Sequence, residues 1–415
     1  MRLLFLHKNL PGQFRRLAPA LAAKPGHEVV TLGERMPGKG FAHPGLRDCW
    51  YPRPKGAGKD THHYIRRLEA NVRRGQAVYR ALTGLRRDGF SPDVVVAHPG
   101  WGETLFLKDV YPDTRLLCFW EFFYRSKGSD LGFDPEFPAS VDAALRSRMH
   151  NTTHLSAFED CDWGVAPTRW QRGLFPAFMR ERISVLFEGV DADVACPDPG
   201  AAFQVPGGPR LTREDEVLTY VARNLEPYRG FHTFMRALPE ILQRRPNCRV
   251  LVVGSEGVSY GAAPKGGGSW RAALMEETGL GSCPGFERVH FLGRLAYEDY
   301  LAVLRVSSVH LYMTYPFVLS WSCLEAMSAG CLVLGADTPP VREVIGHERN
   351  GLLLEDMLDP ACVAERATEA LEHRGEYGPL REAARETILE GYDFRTTGLP
   401  GYERLLEELL SPASG

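Results

Sequence analysis

The chain has 415 residues, 44% of them hydrophobic, and a formal net charge of −3, which at roughly 150 residues per domain gives ample apolar material for two cores. Nine cysteines are an odd number without a CxxC pair, and several lie inside apolar runs, so reduced buried thiols are expected rather than a disulfide framework or a zinc site. Only five apolar or near-apolar residues separate Met1-Arg2 from Lys8, and no run approaches the roughly 18 of a membrane span, so a cytoplasmic protein is expected, soluble or peripheral on the inner face of the membrane.

Strand-like runs alternate with helical segments from the first residue. Leu3–Leu6, Val29–Leu32, Val94–Ala97, Leu116–Phe119, Trp163–Ala166 and Ile183–Leu186 read as the strands of one doubly wound sheet, with a first helix over 13–23. HKNLPGQF follows the first strand and sets Gly12 and Gln13 at the mouth of that helix, where backbone can approach an anionic ligand. A plain strand-to-helix turn explains the glycine as well, and the absence of GxGxxG speaks against an NAD enzyme. Residues 47–88 carry eleven Lys/Arg against four Asp/Glu. Anionic lipid, a polyanionic acceptor, an acidic partner segment and a solvated helix face all suit that stretch. Nucleic acid is disfavoured, because no interleaved aromatics accompany the charge. His98, in VVVAHPGWGE, and Glu121, in LLCFWEFFYR, each follow a strand and project toward one rim. They are the acid-base or hydroxyl-positioning candidates, with a hydrogen-bonded structural His and a capping Glu as the plain alternatives.

The stretch 191–215, containing CPDPGAAFQVPGGPRLTRED, is rich in Pro, Gly and charge and reads as a linker between a first domain over 1–190 and a second over 216–395. In the second, Leu218–Val221, Val250–Val253, Val289–Leu292, Val309–Tyr312, Leu332–Leu334 and Leu352–Leu354 are the strands. Two Rossmann-like doubly wound α/β domains facing a cleft are therefore expected, with the segment 396–415 packing back on the first. Arg223 and Arg229 follow the second domain's first strand in VARNLEPYRGF, and two guanidinium forks there suit a diphosphate. Neutralising the charge on a departing nucleoside diphosphate is the main help a protein gives glycosyl transfer. Surface arginines are the plain alternative.

LYMTYPFVLSWSCLEAMSAGCLVLG joins a buried strand, an aromatic loop, a helix over 323–329 and a second parallel strand. The loop 314–322 thus lies where open α/β sheets bind ligands. Glu325, expected on the first helical turn, either accepts hydrogen bonds from a vicinal diol or partners the helix dipole. Residues 355–410 carry fourteen acids against six bases, opposite in sign to 47–88. GxSxG, HExxH, Walker and Cys/His cluster patterns are absent, so no metal site or cofactor is expected.

With these residues assembled, the chain resembles family 4 of the nucleotide-sugar glycosyltransferases, the retaining branch with the GT-B fold, over nearly its whole length. VLFEGVDADVACP is similar to the segment ending that family's first domain, VARNLEPYRGF to its phosphate-binding segment, VHFLGRL to its base-contacting turn, and SWSCLEAMSAGCLVLG to the second half of its Glu-x7-Glu signature. The resemblance implies that Arg223 and Arg229 hold the diphosphate, that the backbone from Leu292 through Arg294 to Leu295 reads the base, and that Glu325 binds the ribose. It also implies that Gly12, with Gln13 beside it, approaches the donor, while the residues of the loop 315–322 themselves make Ser320 and Ser322 candidates for contact with the donor sugar, with inward-packed aromatics and loop amides alone as the plain alternative.

The implied reaction moves a hexosyl unit from a nucleoside diphosphate sugar, UDP ahead of GDP, with retention and without a metal. The acceptor is a lipid-linked saccharide, a protein or a small molecule. Three departures stand out: Phe317 falls where the first signature Glu belongs, Arg229 replaces a Lys one residue late, and Glu121 stands where relatives often carry His. They keep two other readings open, a noncatalytic nucleotide- or glycan-binding partner subunit and a sugar-nucleotide epimerase.

Overall fold

The computed structural model describes residues 1–36, 41 and 43–411. The chain divides into two units, Met1–Gly189 together with the chain from Phe394 onward, and Val190–Asp393.

Unit 1 is built on seven strands: β1 (Arg2–Leu6), β2 (Glu28–Glu34), β3 (Leu46–Tyr51), β4 (Val94–Ala97), β5 (Arg115–Phe119), β6 (Trp163–Ala166) and β7 (Ile183–Val185). All pair in parallel in the order β3-β2-β1-β4-β5-β6-β7. Helices cover both faces of such a sheet, so its central strands read as unbroken apolar runs: Leu3, Leu4, Phe5 and Leu6 are all fully buried. The strand order reverses between β1 and β4, and ligands bind at the carboxyl ends beside such a reversal.

Where a single first helix over 13–23 is expected, a 3₁₀ turn (Gly12–Phe14) precedes a short helix (Leu17–Ala22). The helix Leu399–Leu410 returns to unit 1, burying Tyr402 and Leu406 in the cluster formed by Leu3, Phe5, Phe14, Val94 and Val96. Residues 412–415 of the expected 396–415 segment lie outside the described residues.

Unit 2 holds β8 (Ala202–Gln204), β9 (Arg210–Thr212), β10 (Val217–Asn224), β11 (Arg249–Ser255), β12 (Val289–Gly293), β13 (Val309–Tyr312), β14 (Leu332–Ala336) and β15 (Leu352–Leu354). The last six form a parallel sheet in the order β12-β11-β10-β13-β14-β15, with its reversal between β10 and β13.

Residues 191–215 are not a linker. They begin unit 2, and β8 and β9 form an antiparallel hairpin across the turn PGGP. Phe203, Val205 and Leu211 bury against Val217, Leu251 and Val303. The Pro/Gly content that looks like a spacer is turn chemistry between two short strands whose apolar residues share one face.

Among the described residues no helix is long and apolar enough to cross a membrane, and all nine cysteines are free. Many cations of the basic stretch 47–88 serve the fold itself. Arg66 and Arg86 donate to backbone carbonyls, Arg73 pairs with Glu69 and Arg74 with Glu34.

Candidate functional site

In unit 2, β10 ends in Arg223 and Asn224, and a 3₁₀ turn (Pro227–Arg229) carries Arg229 to the switch point. Arg229 is buried. Its Nη1 donates to Thr314 Oγ1 at 2.7 Å, to the Val318 carbonyl at 3.2 Å and to the Tyr312 hydroxyl at 3.4 Å, three groups from β13 and the loop after it. The guanidinium also stands over the rings of Tyr260 at 5.6 Å and Phe317 at 6.0 Å. Each of these partners is neutral. Among the described residues no carboxylate pairs with this cation. Arg223 is exposed at the strand end and makes no side-chain bond among the described residues.

Glu226, fully buried between the two arginines, accepts from the backbone amides of Ser259 (3.0 Å), Tyr260 (3.1 Å) and Gly261 (2.9 Å). Its carboxylate thereby fixes the glycine-rich loop after β11 and brings Tyr260 against Arg229. Where the family's first signature Glu would stand, the buried Phe317 ring packs at 4.8 Å from Tyr260 and at 5.7 Å from Tyr228.

The helix after β13 opens at Trp321, not at Cys323, with Ser320 as its N-cap. Ser320 Oγ accepts from the Ser322 amide at 3.3 Å and shares a 3.0 Å hydrogen bond with the Ser322 hydroxyl, so both serines form the cap. Glu325 therefore lies in the second turn, which corrects its expected first-turn position and removes the basis for a dipole role. Its carboxylate is buried and accepts from two phenols, Tyr297 at 2.9 Å and Tyr300 at 3.0 Å. Burial, and then Glu325 itself, hold the Tyr300 hydroxyl far above its ordinary range, so it remains a donor. At the end of β12, Gly293 turns the chain with φ 65°, Arg294 is exposed, and Leu292 and Leu295 pack toward the hairpin cluster. That leaves the backbone of this turn at the strand's carboxyl end.

In unit 1 the loops after β1, β4 and β5 meet in one hydrogen-bonded chain. The Asn9 amide donates to His7 Nδ1 at 2.9 Å, which leaves the proton on Nε2 to donate to Gln13 Oε1 at 2.7 Å. Gln13 Nε2 then donates to Glu121 Oε1 at 2.9 Å. On the other side the Gly100 amide fills His98 Nδ1 at 3.2 Å, so His98 Nε2 faces Glu121 Oε2 at 3.3 Å as the donor. Trp101 stacks on His98 at 4.2 Å and meets His7 edge-on at 5.2 Å. Burial, with His98 and Lys8 nearby, lowers His7 to about 3, so its imidazole is neutral. Gly12, at φ 50°, has the His7 ring where its Cβ would be, 2.4 to 2.8 Å away. The glycine therefore makes room for this histidine, a reason for it that the sequence does not display.

Two family models match the chain. The model for the glycosyl transferase family 4 group covers residues 25–195, and that for glycosyl transferases group 1 covers 209–387. The chain belongs to the GT-B glycosyltransferases. No curated protein matches this glycosyltransferase significantly. Solved structures do. Sucrose-phosphate synthase from Thermosynechococcus elongatus is 18% identical with a TM-score of 0.71, the match covering 99% of each chain. Anabaena HepE in complex with UDP is 15% identical with a TM-score of 0.67, over 98% of this chain and 100% of that one. The catalytic domain of starch synthase IV from Arabidopsis thaliana, bound to ADP and acarbose, is 13% identical with a TM-score of 0.63, over 99% of each. At such identities these structures establish the fold.

The residues nominated from the glycosyltransferase's sequence fall into two groups. Gly12, Gln13, His98 and Glu121 come together in unit 1, while Arg223, Arg229, Leu292, Arg294, Leu295, Ser320, Ser322 and Glu325 lie at the carboxyl ends of the unit 2 strands. Sequence reasoning passes over His7, Trp101, Glu226, Tyr260, Tyr297 and Tyr300. His7 directly follows the first strand and was open to inspection. Tyr297 and Tyr300 carry no signal, since an aromatic three residues from another on a helix reads as packing.

Proposed function

We propose that this glycosyltransferase moves a hexosyl unit from a UDP-sugar to its acceptor with retention, unit 2 holding the donor and unit 1 the acceptor. The observation that carries the reading is Arg229: a buried guanidinium at the switch point whose partners are all neutral, a cation that an incoming diphosphate would complete. Arg223 supplies a second, exposed charge. Glu325, held in place by Tyr297 and Tyr300, is the carboxylate for the ribose hydroxyls, and the turn 292–295 offers backbone to the base. The choice of UDP leans on HepE, which was solved with UDP.

In this reading the bond from the sugar's anomeric carbon to the diphosphate breaks as the acceptor oxygen bonds the same face, and the acceptor proton passes to the leaving phosphate oxygen. Arg229 and Arg223 meet the charge that develops there, so neither a protein nucleophile nor a metal is called on. His98 and Glu121 orient the acceptor hydroxyl. Ser320 and Ser322 present the loop to the donor sugar. A cytoplasmic location, with 47–88 toward an anionic membrane surface, accompanies this reading. Within that stretch Lys55, Lys59, Arg80 and Arg87 make no side-chain pairing among the described residues.

Phe317 in place of the signature carboxylate favours one rival, a noncatalytic nucleotide-binding subunit. Calorimetry with UDP, GDP and ADP, followed by NMR of the anomeric proton of any product, tests both. UDP binding with a retained anomer is expected. An inverted product removes the mechanism, UDP binding without turnover on any acceptor favours the rival, and no nucleotide binding removes both.

A further inference from the structure

Lys8 leaves β1 one residue after His7, at the switch point of unit 1. Its ammonium stands 5.8 Å from the Trp101 ring, and Trp101 stacks on His98, so this cation lies two ring contacts from the His98–Glu121 pair. Lys8 is only partly exposed, and among the described residues its ammonium makes neither a hydrogen bond nor an ion pair.

The carboxylates nearby are engaged by other groups. Glu34 meets Arg74 Nε at 3.1 Å and Arg53 Nε at 3.6 Å. Glu103 accepts the Tyr51 hydroxyl at 3.1 Å and lies 3.8 Å from Arg74. Three cations therefore face two acids, and burial pushes the Glu103 carboxyl up toward its neutral form, with Arg74 opposing. Burial followed by repulsion from Arg74 lowers the Lys8 ammonium, Glu34 and Glu103 oppose that shift, and Arg53 adds a smaller repulsion. Arg53 itself is 81% exposed. A partly buried ammonium that pairs with neither acid, with an exposed guanidinium in the same cluster of charges, is an arrangement an incoming anion completes.

We propose that Lys8 and Arg53 form an anion subsite, and that the acceptor is a saccharide carrying a phosphate or carboxylate. The inference rests on unit 1 being the acceptor side of the glycosyltransferase. The anionic group would sit at Lys8 while the hydroxyl to be glycosylated reaches His98 and Glu121.

The test is calorimetry on the full chain with glucose 6-phosphate, glucuronate and glucose, and separately with UDP. Wild type should bind one of the two anionic sugars at least about tenfold more tightly than glucose, and which one names the group. Lys8→Met should lose at least about tenfold for that ligand and leave UDP affinity unchanged, while Lys8→Arg should keep most of it. Should Lys8→Met fail to fold, the salt dependence of wild type replaces it: the anionic sugar should weaken with ionic strength and glucose should not. Equal affinity for glucose, an unaffected Lys8→Met or the absence of anionic-sugar binding each overturns the subsite. UDP binding without an anionic-sugar site sinks this inference alone, whereas failure of UDP binding sinks the donor reading and leaves the sugar titrations to be judged separately.

Discussion

Arg229 and Glu325 show how differently two charged side chains can be buried. Arg229 is surrounded by hydroxyls, a carbonyl and ring faces, so its charge is solvated locally but not neutralised. Replacing it with Met removes the cation while keeping bulk, and UDP affinity should fall by about 1.5–3 kcal/mol, the worth of a hydrogen bond to a charged group. Calorimetry on the folded variant decides, and unchanged affinity would take the diphosphate away from this residue. Glu325 has a phenol on each oxygen. Glu325→Gln turns one acceptor into a donor facing a phenol, so it should cost more affinity for UDP than for its 2′,3′-dideoxy analogue. Equal losses would mean that the carboxylate serves only the two tyrosines.

At the scale of elements, the short connection between β1 and the helix Leu17–Ala22 positions the unit 1 network. Gly12 adopts a φ that disfavours side chains, in contact with the imidazole that orients Gln13. Gly12→Ala adds both backbone strain and a clash, and should destabilise unit 1 by about 1–3 kcal/mol. Urea unfolding followed by tryptophan fluorescence would show it, and a change below about 0.5 kcal/mol would mean that the turn relaxes freely. Buried strands were legible in the sequence because parallel strands covered on both faces are apolar throughout. The edge strand β3 was not, because LRDCWY is only half buried and its charges hid it inside a basic stretch. The β8–β9 hairpin was hidden for a related reason, since AFQ and RLT each bury one central residue and form no apolar run like those of the short strands β7 and β15.

At the scale of the whole molecule, four histidines, three buried and one half-buried, make stability depend on pH. Burial lowers His7, His154 and His310 to about 3 and His150 to about 4. The unfolded chain takes up these protons near pH 6.5, whereas the folded chain does not until pH 4 or below, so stability falls as pH drops through that window. Each of the three buried histidines contributes a loss on the order of 2 kcal/mol between pH 7 and 5, and the half-buried His150 contributes less because solvent screens it. Three of the four belong to unit 1, whose strands should lose more hydrogen-exchange protection, after correction for intrinsic rates, than those of unit 2. Equal losses in both units would mean that these histidines titrate normally. The sequence by itself determined what depends on residues adjacent in the chain: the two sheets, their strand ends, and the arginines and signature Glu that follow those ends. Only the tertiary structure decided which distant groups meet them. Gln13 reaches Glu121 across 108 positions and Tyr297 reaches Glu325 across 28, and such contacts follow from strand order and helix docking, which no local pattern of residues encodes.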